Sequence, residues 1–146
     1  MEMLSEQVKI VLAKAGQAEA TTDVSGDIID MAGFDNVCFV CTIATANAAN
    51  YLFAQQGAAA NLSDAAALAD SGVVTEADGM VAILDIRRPR ERYLRPMVER
   101  GGAATATGDL YAILYNGMSG PQDNTVDDLK KAVILTSPAE GDAVAS

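Results

Sequence analysis

Asn36-Val-Cys-Phe-Val-Cys-Thr-Ile-Ala-Thr45 is the stretch of sequence that decides the fold class. Apolar and β-branched residues fill both of its alternating sets, and a strand that is apolar on both faces is typical of the middle of a sheet. Residues 47–56 continue the pattern, because Tyr51 and Phe53 alternate there with apolar Leu52. These two segments predict two strands, the first of them central and buried on both sides.

Alternation and turn residues indicate further strands along the chain. The predicted strands lie near residues 37–44, 49–56, 80–86, 92–100, 109–115 and 131–136. Short strands at intervals of roughly 8–15 residues predict an all-β protein, with a β-sandwich or jelly-roll-like single domain, rather than βαβ units. Because Pro96 has no N–H to donate, we expect the strand over 92–100 to lie at a sheet edge or to carry a bulge.

Three segments have a less defined pattern. Residues 1–20 fit both a strand and a helical stripe, and they are predicted as an extended N-terminal arm or strand that precedes a β-sandwich domain over 21–138. Alanine-rich residues 63–70 are predicted either as a short helix with Ser63 at its N-cap or as a surface loop. Residues 139–146 form a C-terminal tail without bulky side chains.

The composition excludes several classes of function. The 146 residues carry a net charge of −10, which disfavours binding to nucleic acid or to an anionic membrane. The chain has no histidine, which removes the Ser-His-Asp and Cys-His nucleophile systems and the commonest metal ligand. No apolar run approaches the ~20 residues of a membrane helix, and the first residues do not resemble a signal peptide. We therefore expect a non-enzymatic protein without a cofactor, made in the cytoplasm.

Two short motifs suggest metal or redox chemistry but do not meet its requirements. Cys38-Phe-Val-Cys41 has the C-x-x-C spacing, yet it lies in a predicted strand, where positions i and i+3 point to opposite faces. A structural zinc site also needs four ligands. We expect two reduced, buried thiols, with neither metal nor an intrachain disulfide. The acidic stretch over residues 123–128 does not match an EF-hand loop, and a weak cation site there is the lesser alternative.

The arginines are segregated in one segment. All six lie within residues 87–100 together with two glutamates, whereas the rest of the chain has four lysines and eighteen acidic residues. Arginine makes bidentate, weakly hydrated contacts that suit protein interfaces. The candidate protein-interface residues are Arg87, Arg88, Arg90, Arg92 and Arg95. The equally weighted alternative is that they pair with the protein's own carboxylates, and a nucleic-acid contact is the least favoured interpretation.

Three segments together resemble a known class of protein. They are Ile28-Ile-Asp-Met-Ala-Gly-Phe-Asp-Asn-Val-Cys-Phe-Val, Arg88-Pro-Arg-Glu-Arg-Tyr-Leu-Arg-Pro and Ser137-Pro-Ala-Glu-Gly141. In order and spacing they resemble small virion proteins of tailed bacteriophages, of the capsid decoration or cement type, over residues 25–141. The resemblance implies a β-sandwich or jelly-roll-like fold and assembly into a homodimer or homotrimer. It also implies binding to the major capsid protein across capsomer junctions, on the exterior of the virion.

Two other functions compete with this expectation. A phage neck or tail component, such as a connector or tail-terminator subunit, would share the virion but occur in far fewer copies. A carbohydrate-binding or enzymatic β-sandwich is less favoured, because sugar-binding faces usually expose aromatic platforms. This chain has only seven aromatic residues, several of them at predicted core positions.

Overall fold

Strand pairing organises the chain in the computed structural model, which describes residues 8–69, 71–115, 130–136 and 140–141. Within these ranges there is no helix long and apolar enough to span a membrane. The strands are β1 (Lys9–Lys14), β2 (Gln17–Ala20), β3 (Val24–Ser25), β4 (Ile29–Asp30), β5 (Asn36–Ile43), β6 (Asn47–Gly57), β7 (Ala66–Ala67), β8 (Val73–Thr75), β9 (Met80–Arg87), β10 (Tyr93–Glu99), β11 (Thr105–Thr107), β12 (Leu110–Tyr115) and β13 (Lys130–Thr136). All six predicted strands are confirmed.

The larger sheet is organised around β5. β9 pairs antiparallel with β5 over its whole length, from Asn36 opposite Arg87 to Ile43 opposite Met80. On its other side β5 pairs with β12 and, near Ile43, with β11. β12 and β11 pair in turn with β1 and β2, while β13 pairs in parallel with β9. The prediction that residues 36–45 contain a central strand is therefore confirmed.

The described part of the N-terminal segment is an edge of this sheet. β1 pairs with β12 and β2 pairs with β11, both of which lie far along the chain near its C-terminal third. The two strands are separated near Gly16, whose N–H donates to the carboxylate of Asp109 at 2.7 Å. Of the two forms predicted for residues 1–20, the strand is therefore the one adopted over 9–14 and 17–20.

The smaller sheet has β6 and β10 at its centre. These two strands pair antiparallel from Tyr93 opposite Gly57 to Glu99 opposite Tyr51. β3 and β4 pair with the other edge of β10, and β7 and β8 pair with the other edge of β6. The chain passes between the two sheets from β5 to β6 and again from β9 to β10.

Pro96 corrects the prediction that β10 is an edge strand or carries a bulge. β10 has partners on both sides, and its register with β6 is regular. Pro96 faces the gap between β3 and β4, where the ladder needs no N–H from it. Its carbonyl accepts the N–H of Gly26 at 2.8 Å, and a Cβ on Gly26 would lie only 2.7 Å from the proline ring. The glycine allows the two backbones to approach this closely.

The two sheets bury one continuous core between them. From the larger sheet the buried side chains include Val37, Phe39, Cys41, Ile43, Met80, Ala82, Leu84, Ile86, Leu110, Ala112 and Leu114. From the smaller sheet they include Val24, Ile29, Leu52, Ala54, Val73, Leu94 and Val98. Nearly all alternate along their strands with less buried residues, as a sandwich requires. The predicted all-β, sandwich-like domain is confirmed.

The helix considered over residues 63–70 does not form in its described part, and the loop is the correct alternative. Leu62 has a left-handed backbone, with φ of 53°. The carboxylate of Asp64 accepts two backbone N–H groups of the preceding turn, at 3.0 and 3.2 Å. These local bonds satisfy the backbone within a compact loop, so the helix propensity of the alanines does not decide the structure.

We predict that the two faces of β9 differ sharply in their tolerance of truncation. Leu84 is fully buried between the sheets, whereas Ile83 points to the outer face and is half-buried. Leu84→Ala should lower the free energy of unfolding by about 2–5 kcal/mol, because it opens a cavity in the core. Ile83→Ala, the matched control, should lower the free energy of unfolding by less than about 1.5 kcal/mol. Urea-induced unfolding measures both changes. Equal losses would contradict the assignment of the two faces.

Candidate protein interface

Two segments that are far apart in the sequence meet at one end of the sandwich. The turn between β4 and β5 lies against residues 87–92, here called the arginine turn, which comprise the last residue of β9 and the connection to β10. The N–H of Met31 donates to the carbonyl of Arg92 at 2.8 Å, and the N–H of Arg88 donates to the carbonyl of Asp35 at 2.9 Å. These bonds hold the backbone of the arginine turn in place.

Local chemistry explains the shape of the β4–β5 turn. The Asp30 carboxylate accepts the N–H of Ala32 at 2.9 Å, and the N–H of Phe34 donates to the carbonyl of Met31 at 3.0 Å. Gly33 has φ of 88°, a backbone conformation that glycine adopts without steric cost. Aspartate and glycine at these positions are typical turn residues. The buried Met31 side chain anchors the turn to the core.

Arg92 forms a bidentate ion pair with Asp30 across this junction. Its Nε and Nη2 donate to the two carboxylate oxygens at 2.9 and 3.0 Å, and its guanidinium lies 5.2 Å from the centre of the Tyr93 ring. The hydrogen bond from Arg92 is the main cause that lowers the pKa of Asp30 to about 2. The pair therefore contributes its full stabilisation above the ordinary pKa of aspartate and loses it as the pH falls towards 2. Both side chains are exposed, so that stabilisation is small.

Arg95 lies on the outer face of the smaller sheet. Its Nε and Nη2 both donate to Oε1 of Gln55, at 3.2 and 2.5 Å. Because glutamine is neutral, this contact orients the guanidinium without cancelling its charge. Phe53 and Met97 lie on the same face and form a small apolar cluster outside the main core.

The remaining candidate arginines are exposed. Arg87 ends β9 and lies on the outer face of the larger sheet, and Arg88 and Arg90 follow it in the arginine turn. Arg88 has φ of 50° immediately before Pro89, a conformation that residues with a Cβ rarely adopt. A second acceptor, Oδ1 of the buried Asn36, lies 3.0 Å from the Arg88 N–H and helps to hold this conformation.

The structure thus gathers four of the five predicted interface residues in one turn. The fifth, Arg95, lies on the adjoining sheet. Arg92 pairs with a carboxylate of its own chain, as the alternative interpretation anticipates, whereas Arg95 contacts the neutral side chain of Gln55. Arg87 and Arg88 present exposed side chains. That this surface binds another protein stays a prediction.

Arg100 is a structural arginine that the candidate set did not include. It is 4% exposed, and its guanidinium donates to the backbone carbonyls of Thr22, Ala18 and Thr105 at 2.6, 2.8 and 2.9 Å. These carbonyls belong to β2, to the segment that follows it and to β11. The alternation of buried Leu94, Pro96 and Val98 along β10 continues to position 100, and this signal could have identified it as inward-facing.

We predict that Arg100 and Arg87 differ in their effect on stability. Arg100→Gln should lower the free energy of unfolding by about 2–4 kcal/mol, because it removes charge-assisted bonds to buried carbonyls. Arg87→Gln removes the same charge from an exposed position and should change it by less than about 0.5 kcal/mol. Chemical denaturation monitored by circular dichroism measures both. Comparable effects of the two substitutions would show that Arg100 is not an internal anchor.

The two cysteines lie on opposite faces of β5, as predicted, and both are free. Cys41 is 1% exposed and faces the core, with Sγ 3.5 Å from the carbonyl oxygen of Thr42. Cys38 is half-buried on the outer face. Burial raises the pKa of each thiol to about 12, and the nearby carboxylates of Asp85 and Asp109 add to this effect at Cys38 and Cys41 respectively. Neither thiol is therefore prepared to act as a nucleophile at neutral pH.

We predict that the folded protein resists thiol modification at pH 7. A thiol with its pKa near 12 is deprotonated in only about one molecule in 10⁵ at that pH, so alkylation by iodoacetamide should be far slower than in denaturant. Intact-mass spectrometry should then show two alkylated cysteines after unfolding in guanidinium chloride. Rapid stoichiometric labelling of the native protein would contradict this description of the two sites.

Neither the potential metal ligands nor comparison with known proteins identifies a function for this surface. Within the described ranges, no group of three or more His, Cys, Asp or Glu side chains could hold a metal ion, and the acidic stretch over 123–128 lies outside those ranges. The third segment of the resemblance is described only at residues 140–141, where Glu140 forms a β-bridge with Leu68. Comparison with protein-family models, with curated proteins and with solved structures finds no match.

Proposed function

We propose that this chain is a structural virion protein of a tailed bacteriophage, which binds the outside of the capsid and stabilises capsomer junctions. One observation carries the proposal. The first two segments on which the resemblance rests, the Asp-Met-Ala-Gly-Phe-Asp turn and the Arg-Pro-Arg-Glu-Arg-Tyr stretch, are neighbours in space. They form one surface, held by two backbone hydrogen bonds and a bidentate ion pair.

The physical properties of this surface suit adhesion to an acidic protein partner. The arginine turn concentrates positive charge in a chain whose net charge is −10. Its backbone is already fixed by the bonds of Arg88 and Met31, so little backbone conformational entropy needs to be lost on binding. Exposed guanidinium groups can then form bidentate contacts with carboxylates of the major capsid protein.

The proposed role is non-enzymatic and needs no cofactor, nucleic acid or membrane. The chain would be assembled in the host cytoplasm and carried on the exterior of the virion, as a homodimer or homotrimer. A rigid two-sheet core suits such a role, because the adhesive surface keeps its shape while it bridges neighbouring subunits.

The copy number of the chain in purified virions tests this proposal. Quantitative mass spectrometry should find it in numbers comparable with the major capsid protein. A copy number that fits a single ring would favour a neck or tail component instead. Absence from the virion would overturn the virion assignment altogether.

A binding assay with capsids that lack the chain tests the surface itself. We predict that Arg87→Gln combined with Arg88→Gly reduces co-sedimentation with capsids at least about tenfold, because each lost desolvated ion pair costs about 2–5 kcal/mol. Glycine is compatible with the backbone of position 88, so the fold should be retained. Lys14→Gln, near the far end of β1, is the control and should bind as the unmodified chain does. Equal binding by the unmodified chain, the double variant and Lys14→Gln would show that the arginine turn is not part of the capsid-binding interface.

A further inference from the structure

The outer face of the smaller sheet carries an arginine among apolar and aromatic side chains. Along β10 this face presents Tyr93, Arg95 and Met97, and across the ladder to β6 Gln55 lies opposite Arg95 and Phe53 lies opposite Met97. Met97 and Phe53 are 7% and 8% exposed, and they form a cluster separate from the main core. We call these five residues the Arg95 site.

The guanidinium of Arg95 is oriented but keeps its charge. The hydrogen bonds that it makes within the described residues, from Nε and Nη2, both end on the neutral Oε1 of Gln55. They occupy the side edge of the planar group. The end edge, between Nη1 and Nη2, keeps two parallel N–H groups, and a carboxylate accepts such a pair in a bidentate contact.

The acidic side chains around the Arg95 site are engaged elsewhere. Asp30 pairs with Arg92. Glu99, on the same face of β10, accepts the N–H of Gly101 at 2.9 Å. Asp64, in the turn after β6, accepts two backbone N–H groups of that turn. Within the described residues the site therefore has no carboxylate of its own, although the chain has twenty acidic residues and ten basic ones.

We propose that the Arg95 site receives one aspartate or glutamate side chain of a protein partner. The partner's carboxylate accepts the two parallel N–H groups of Arg95, while the apolar side chains around the guanidinium limit the access of water to the pair. The inference rests on the proposed function, under which the partner is the major capsid protein. It adds a contact on the smaller sheet to the one made by the arginine turn.

The surroundings of Arg95 favour a protein carboxylate over a polyanion. Tyrosine, phenylalanine, methionine and arginine, which make up most of the site, are the residue types enriched in the cores of protein interfaces. A nucleic acid would need several basic contacts along its backbone, and a net charge of −10 repels it. The neighbouring Arg92 cannot supply such a contact without giving up Asp30.

Preorganisation strengthens this contact. An arginine that is mobile before binding loses side-chain entropy when it is immobilised, and the two bonds to Gln55 have already imposed much of that loss. Arg95 is also half-buried, and a partly desolvated charge pair contributes more to binding than a pair in open solvent. Arg95 is therefore expected to act as a binding hot spot.

Co-sedimentation with empty capsids that lack the chain tests the inference through two substitutions. Arg95→Gln removes the guanidinium, whereas Gln55→Glu retains it and cancels its charge from within the chain. Each should weaken capsid binding at least about tenfold. The control is Gln17→Glu, which makes the same charge change on β2 of the larger sheet and should bind as the unmodified chain does.

Thermal melts followed by circular dichroism separate binding from folding. Gln55→Glu should melt no lower than the unmodified chain, because an ion pair replaces a neutral hydrogen bond. Its loss of binding therefore cannot be attributed to unfolding, and it decides the question if Arg95→Gln does not fold.

The possible results distinguish this inference from the proposed function. If the unmodified chain and both variants bind equally well, the inference is overturned while the proposed function stands. If Arg95→Gln lowers the melting temperature but not the binding, Arg95 is covered by its own chain and the inference is again overturned. If the unmodified chain does not bind capsids, the proposed function fails and the inference fails with it.

Discussion

The pairing of β5 on both of its edges is the constraint on which the rest of the structure depends. β9 occupies one edge and β12 with β11 the other, so β5 fixes the register of the larger sheet. Because its side chains are apolar on both faces, the sheet needs cover on both faces. The smaller sheet covers the face of β5 on which Phe39 lies. On the other face, Val40 and Cys38 are half-buried.

The second organising feature is that the arginines of residues 87–100 differ in how deeply they are buried. β10 alternates inward and outward positions, so the same short sequence supplies an internal anchor, Arg100, and an outward Arg95. The arginine turn precedes the strand and lies outside this alternation, and there Arg92 joins Asp30 while Arg87 and Arg88 stay exposed. Segregated charge in the sequence therefore has both structural and surface consequences. The pairing interpretation holds for Arg92, and the interface interpretation stays a prediction.

The sequence correctly predicted the features that depend only on neighbouring residues. The alternation of apolar residues located β5, β6, β9, β10, β12 and β13, and strand geometry placed Cys38 and Cys41 on opposite faces. The predictions that were wrong, or that missed a residue, depended on distant partners. Pro96 is tolerated inside the sheet because two separate short strands leave a gap beside it, and Arg100 is buried because β2 and β11 supply carbonyls. No short-range pattern contains those partners, although the inward register of position 100 was visible.

In the proposed function, the β4–β5 turn and the arginine turn act together as one preformed binding surface. Hydrogen exchange measured by mass spectrometry, on the protein alone and on capsids, tests this most directly. We expect added protection on the capsid in peptides covering residues 30–36 and 87–92 together, with the core strands slow in both states. Unchanged exchange in both segments, with new protection confined to other surfaces of a bound protein, would contradict the claim.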